Sequence, residues 1–576
     1  MGEPAALPSD TRPGASRGGA DSHLRWLLGH LSGPDLAPLA TRALDDASRA
    51  AQGPVTALHA ALLDAPPVLD GAGAVTSPPA ARELEREGRG AGLVGATYAP
   101  GWHHLTRRAP RPLTAAVLLT LAEVDRAVAG GSLLVTDAVC RTLERHDPAL
   151  AARWVPHLTG ALQPAMTASL LLAEARSGAD LGSIQTLAVP DGGGGWRVSG
   201  EKSFAANAGA DLALVLARPQ QAAGGTRGLA LFAVPRRLDG GAVNAVRVEA
   251  LRQTAGLAGL AIGRVQLTEA QGWLVGRPDR GFRQAIDAIT VARVLLGVVA
   301  AAIARQAAAA ARRRALRHAG VREVGSEPLY REELAELAVD AVAATSGALV
   351  GADVLQRTDH GRLGNDGSLR LLAPLLKRAL SDLAISTSVR AIRLAGGAAA
   401  TAERTLLDDA LAVAAWEGSP NVLALEVVRA ADQGHATVLF EDLERRLAGS
   451  GPAAPLAARL LDELAGQRAE LEELALLDDP VQQLRAAQLA DRLALLTLSS
   501  YLVEQAGAHA RETGTGRLLW VAARFASRLA APSARMSPAR DAQWLPYVAA
   551  LLDDEGPAPL AVGRHAIEEV AGAAWL

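Results

Sequence analysis

The sequence predicts a mainly helical protein with one inserted β domain, an α+β fold, on three observations. Aromatic residues make up only 3% of the chain while Ala-, Leu-, Arg- and Glu-rich runs recur, a composition that favours helices. From about residue 165 to residue 278 the apolar period shortens to that of brief strands separated by turn residues. After Gly281 helical spacing returns and holds over four long segments, as a four-helix bundle requires.

At 576 residues the chain exceeds one ordinary core, and two to four folded domains are expected. The divisions read from the pattern are a disordered tail at 1–22, an N-terminal helical domain at 23–164, a central antiparallel β domain at 165–278, a four-helix-bundle domain at 279–435 and a helical C-terminal extension at 436–576. A formal net charge of −3 gives the whole molecule no strong pull toward nucleic acid or membrane, so any such affinity needs a local patch. A lone cysteine, Cys140, excludes an intramolecular disulfide framework and a thiolate metal cluster, and a reducing cytoplasm is the natural compartment. Residues 1–22 lack the apolar centre of a signal peptide, and no later stretch reads as an uninterrupted apolar span.

Leu24 to about Leu63 reads as two or three helices broken at Gly33-Pro34, followed by a loop-rich passage at Pro66-Pro67 and Pro78-Pro79. The cluster Tyr98-Ala99-Pro100-Gly101-Trp102-His103-His104 places two imidazoles side by side, which diverge on any regular element and favour packing over metal binding. Helices are expected at 115–129 and 133–145, with Asp147-Pro148 opening another. Strands are expected at 184–189, 196–199, 212–217, 229–234, 243–251, 262–267 and 273–275. The run Gly192 to Gly195 lacks the Lys-Ser/Thr and the helix of a phosphate loop and reads as a hairpin turn. The four long helices are expected at 282–318, 331–355, 369–394 and 420–431.

Ahead of the last of these, Trp416-Glu417-Gly418-Ser419-Pro420-Asn421 sets a carboxylate before a helix start, with Ser419 at the cap and Pro420 at the first position. An acid there can serve as a base or stand as a solvated turn residue. In the extension, Arg517, Arg524, Arg528 and Arg535 recur at intervals of seven, four and seven, one basic stripe if the helix is continuous. A solvated face and a nucleic-acid contact are its two readings.

Several motifs in order resemble the acyl-CoA dehydrogenase family, in particular its AidB-type, alkylation-damage-response branch. They are Tyr98-Ala99-Pro100-Gly101-Trp102-His103, Ala173-Glu174-Ala175-Arg176-Ser177-Gly178-Ala179-Asp180, Trp196-Arg197-Val198-Ser199-Gly200-Glu201-Lys202-Ser203-Phe204, Gly272-Trp273-Leu274-Val275-Gly276, Pro374 with Lys377, Gly396-Gly397 and Trp416 to Asn421. The resemblance runs from about residue 95 to 435. It implies that Glu417 is the base that removes the proton α to a thioester carbonyl while hydride passes to flavin N5. It implies FAD between the β domain and the bundle, touched by Ala173, Glu174, Gly178, Ala179, Phe204, Ala206, Trp416, Ser419 and Asn421. Gly396 and Gly397 would reach the FAD of a neighbouring subunit, and Arg293 would line the substrate pocket. A shared site of this kind implies a homotetramer or homodimer.

The chain departs from the family's pattern at Ala173, Ala179 and Ala206, where hydroxyl side chains are usual, at Ala258, where an arginine is usual, and at Arg322-Glu323-Val324-Gly325, which lacks the usual aromatic. The alternatives are therefore an AidB-like protein that contacts DNA through the arginine stripe and a flavin-free member that acts as a scaffold or partner subunit.

Overall fold

The computed structural model describes residues 22–318, 328–360, 367–396, 401–476, 479–530 and 560–572. The N-terminal region is helical: α1 (Ser22–Ser32), α2 (Ala37–Ala50) and α3 (Thr56–Asp64), the small hairpin β1 (Val68–Leu69) and β2 (Val75–Thr76), then α4 (Pro79–Gly90), α5 (Gly95–Tyr98), α6 (Arg111–Ala122), α7 (Leu133–His146) and α8 (Pro148–Leu158). Pro79 and Pro148 open their helices where an amide hydrogen has no intrahelical partner, and the Asp147 carboxylate accepts from Leu150 N at 3.0 Å. Every residue of α6 is buried, which accounts for its lack of a polar face.

Seven strands make the central domain: β3 (Ala168–Leu171), β4 (Leu187–Pro190), β5 (Trp196–Ala206), β6 (Leu212–Pro219), β7 (Ala230–Pro235), β8 (Val246–Leu251) and β9 (Ile262–Leu274). The pairings β6–β4–β5–β9–β7–β6 close a ring around a core that includes Phe232, Val248 and Leu267, while β3 adds to β6 and β8 to β9. Two pairings, β3 with β6 and β4 with β6, are parallel, which corrects the expectation of a purely antiparallel domain. Both join strands separated by intervening chain, a relation that alternation along single strands does not encode. The turn expected between residues 267 and 273 is instead a bulge inside one long β9. Val198 pairs with Ala270 and Gly200 with Leu267, and Glu269, at φ 54°, donates its N–H to Ser199 Oγ at 2.9 Å.

Long helices follow: α9 (Gly281–His318), α10 (Pro328–Asp359), α11 (Gly367–Ala395), α12 (Thr401–Ala415) and α13 (Pro420–Asp432). α9, α10 and α11 pack on one another, and α12, a helix the sequence reading left unassigned, packs against α9 and α11. α9 and α10 are long and apolar enough to cross a membrane, but 94% and 78% of those stretches are buried against other elements. α14 (His435–Ala448), α15 (Ala454–Ala475), α16 (Asp479–Thr513), α17 (Arg517–Ala526) and α18 (Leu560–Ala571) complete the described chain.

Two glycines seat the β domain on the helices. A side chain at Gly281 would meet Ala230 Cα of β7 at 2.2 Å, and one at Gly256 would meet the Asp408 carbonyl oxygen of α12 at 2.2 Å. The loop beside Gly256 is then tied down by Leu257 N donating to Asp409 Oδ1 at 2.6 Å, while Arg126 Nε holds Oδ2 at 2.5 Å.

Candidate active site around Glu417

Glu417 lies in the link from α12 to α13 with its backbone left-handed at φ 57°, followed by Gly418 at φ 116°. A non-glycine residue held there costs on the order of 1–3 kcal/mol and persists only when its surroundings over-determine it. The surroundings do so through cations from two helices. From α9, Arg293 Nε donates to the Glu417 carbonyl at 2.9 Å, and its two terminal nitrogens hold the Glu426 carboxylate at 2.5 and 2.9 Å. From α11, the fully buried Lys377 Nζ donates to the Ala414 carbonyl at 2.6 Å and the Gly418 carbonyl at 2.9 Å. Its neighbour Arg378 donates to the Pro420 carbonyl at 2.7 Å and to Asp491 of α16 at 2.8 Å. Ala414 at the end of α12 and the link carbonyls after it thus receive cationic donors where a helix end lacks partners and favours positive charge.

Burial raises the Glu417 carboxyl above its ordinary range. Arg293, Lys377 and a hydrogen bond from Trp416 work against the rise, and Glu426 adds to it. Burial, then Arg293, push Lys377 down to about 7, against the pull of Glu417 and Asp382. Burial thus displaces the carboxyl upward and the ammonium downward, which brings the two groups' ranges closer together.

On the β side, Phe204 takes φ 58° and stays 53% exposed, with the Arg252 guanidinium 4.8 Å from its ring centre. The adjacent Ser203 hydroxyl is buried without a hydrogen-bond partner. Ala206 is buried, and its carbonyl accepts from Ser169 Oγ at 2.6 Å. Ser203 N donates to the Ala173 carbonyl at 3.0 Å, which brings the two motif segments together. The Glu174 N–H is taken by Ser177 Oγ at 3.1 Å, and its carbonyl accepts from Gly178 N at 3.2 Å. The Glu174 carboxylate turns inward: it accepts from Gln185 N at 2.9 Å, Thr186 N at 2.8 Å and Thr186 Oγ1 at 2.6 Å, with Lys202 Nζ at 3.4 Å. Burial opposes this charge, but the Thr186 and backbone hydrogen bonds outweigh it and hold the carboxyl below its ordinary range. Burial lowers Lys202 to about 8 against the pull of Glu174.

Among the other expected positions, Trp416 is half-buried against the helical core, and Ala179, Ser419 and Asn421 are exposed. Ser419 occupies the N-cap position without a side-chain cap bond. Gly396 closes α11 at φ 64° with open space where a side chain would stand, and Gly397 and Arg322 to Gly325 fall outside the described residues. Arg293, expected in the substrate pocket, has its guanidinium committed to Glu426 and the Glu417 carbonyl.

The arginine stripe is corrected. α17 ends at Ala526 and a 3-10 turn spans Ser527–Leu529, so the helix is not continuous. Arg524 pairs with Glu332 and Glu336 of α10, and Arg528 with Glu336 at 2.8 Å and Asp340 at 2.5 Å. Both face a neighbouring helix whose half-buried and buried acids need neutralising, rather than forming an open basic surface. Arg517 opens α17, and Arg535 falls outside the described residues. Among the described residues no group of His, Cys, Asp and Glu could hold a metal ion, and His103 packs edge-on to Trp102 with ring centres 4.5 Å apart.

Lys377 and Glu426 had no assigned role in the sequence. A charged pair, Lys377-Arg378, inside the apolar run Leu371 to Leu380 was the available signal.

The features at Ser203, Phe204, Ser419 and Asn421 fit a planar cofactor with polar substituents: an exposed aromatic, an unpartnered buried hydroxyl and two exposed polar side chains. Ala173, Ala179 and Ala206 contribute no hydroxyl, so such a group would be held there by backbone and packing.

The chain matches the model of the acyl-CoA dehydrogenase middle domain over residues 169–270 and that of the C-terminal domain over residues 279–431. It is 30% identical over 289 residues to the putative acyl-CoA dehydrogenase AidB of Escherichia coli, which covers 49% of this chain and 52% of AidB. It thus spans about half the length of the curated relatives it matches. Among solved structures, ACDH-11 of Caenorhabditis elegans in complex with C11-CoA has a TM-score of 0.78 at 21% identity, covering 88% of this chain and 90% of that one. An acyl-CoA dehydrogenase complexed with FAD from Bacillus anthracis has a TM-score of 0.64 at 17% identity, covering 94% and 95%. These likenesses show the shared fold, and over residues 169–270 and 279–431 the chain carries the middle and C-terminal domains of acyl-CoA dehydrogenases.

Proposed function

We propose that this chain is an FAD-dependent oxidoreductase that acts on an acyl thioester, with Glu417 as the base for the α-proton. The observation that carries the reading is the left-handed Glu417, whose carboxyl is raised by burial while Arg293 and Lys377 hold the carbonyls of Glu417 and Gly418. FAD, when bound, supplies the hydride acceptor. Ser203, Phe204, Ser419 and Asn421 would hold it, and Gly396 would meet the FAD of a neighbouring subunit in a homodimer or homotetramer of the cytoplasm. The FAD and C11-CoA named in the neighbouring structures support the choice of cofactor and substrate class.

The base must be ionised to accept a proton, and Arg293 and Lys377 fix the loop through its backbone carbonyls rather than through the Glu417 carboxylate. The ion pairs of Arg524 and Arg528 with α10 weigh against a DNA-contacting role for these two arginines of the stripe. The test is Glu417→Gln. Turnover is expected to fall by about 10²–10⁴-fold with flavin content unchanged. Turnover retained at the wild-type rate would take the role away from Glu417.

A further inference from the structure

We propose that the arginine-lined cleft between the N-terminal helices and the end of α10 binds a small phosphorylated anion. The cleft has a volume of about 940 Å³, within the range of small-molecule sites. Its walls come from α1, the α5–α6 segment, α7, α10 and α14, and none belongs to the β domain or the Glu417 link. It is therefore independent of the reaction proposed above.

Charge decides what it can hold. Seven arginines line the cleft against three carboxylates, Glu144, Asp353 and Asp359, in a chain whose net charge is −3. Acids outside the lining offset part of this excess, with Asp137 at 3.4 Å from Arg111 and Asp287 at 3.7 Å from Arg145, and several acids are shared between arginines. Asp359 serves Arg111 at 2.9 Å and Arg141 at 2.6 Å, and Asp442 serves Arg445, Arg446 and Arg357. A concave surface with one sign in excess focuses potential and concentrates counter-ions.

The donors at its floor are fixed in place. Arg111 and Arg141 are both 5% exposed, and Arg111 also donates to Tyr98 Oη at 3.2 Å. Both are held by Asp359, and Arg111 also by Asp137 and Tyr98, so they form a fixed cationic floor, while bidentate contacts to phosphoryl oxygens fall to the arginines at the mouth. An apolar ligand would strip water from these cations without replacing it. At the mouth, Arg107 and Arg108 stand exposed on the segment before α6, and Arg108 is only partly neutralised by Glu144 at 2.9 Å.

Titration calorimetry of the full chain with inorganic pyrophosphate and with ADP tests the assignment. Saturable binding of either at about one site per chain is expected, weakening as salt is raised. Binding of pyrophosphate alone points to an inorganic phosphate anion, and binding of ADP alone to a nucleotide; both support the site. Arg107→Gln with Arg108→Gln, an exposed pair whose loss leaves the core intact, should weaken it about tenfold or more. Arg227→Gln with Arg280→Gln, exposed elsewhere, should leave it unchanged. No binding of either probe, or equal loss in both double variants, overturns the proposal.

Discussion

Arg293 Nε donates to the backbone oxygen of Glu417 at 2.9 Å while its terminal nitrogens grip Glu426. One planar fork therefore sets the path of the loop that carries the carboxylate. Lysine keeps the charge but cannot make this three-point contact. Arg293→Lys is predicted to lower kcat by about 10²-fold, the order expected for a misplacement near 1 Å, with flavin content retained. Steady-state kinetics and the absorbance of the purified variant check it together.

Lys377 contributes a positive charge that favours ionised Glu417. Lys377→Met removes it, so the Glu417 carboxyl should rise further and the acid limb of the kcat/KM profile should move to higher pH. The Ala414 and Gly418 carbonyls would also lose their donor, a loss of about 1–3 kcal/mol each, against relief of a buried ammonium. A pH profile that stays in place, in a variant shown to be folded, would contradict the electrostatic link.

Glu174 gives a prediction for acid stability. Its folded carboxyl is held below the ordinary range, so the stability it contributes is present above that range and disappears as pH falls through the folded value. The difference in unfolding free energy between wild type and Glu174→Gln should therefore shrink as the solution is acidified. Urea unfolding at neutral and acid pH measures it.

Arg528 reaches Glu336 at 2.8 Å and Asp340 at 2.5 Å, and Asp340 is 3% exposed. Arg528→Ala leaves Asp340 with Arg390 alone, at 3.0 Å, and Glu336 with Arg524, and is predicted to destabilise the protein by about 2 kcal/mol. Thermal unfolding reads this directly.

The architecture was legible because its signals are periodic. The switch from helical to strand spacing near residue 165 and back after Gly281 needs no tertiary information. What escaped depends on distant chain. The parallel pairing of Ala168–Leu171 with β6 is a crossover property, and the Thr268-Glu269 bulge resembles a turn until Ser199 is seen opposite. At the site, Glu417 could be singled out by motif, whereas the roles of Arg293, Lys377 and Glu426 depend on three helices meeting around one loop. The arginine spacing misled because a regular stripe reports a shared face, not what that face touches.

The account's central claim is that a bound flavin would accept hydride from a substrate whose α-proton goes to Glu417. The most direct measurement is the visible spectrum of the FAD-reconstituted protein before and after anaerobic addition of acyl-CoA. The account predicts a flavin spectrum that bleaches in the wild type and persists unbleached in Glu417→Gln. A protein that remains colourless after incubation with FAD, or a Glu417→Gln variant that bleaches as fast as the wild type, would contradict it.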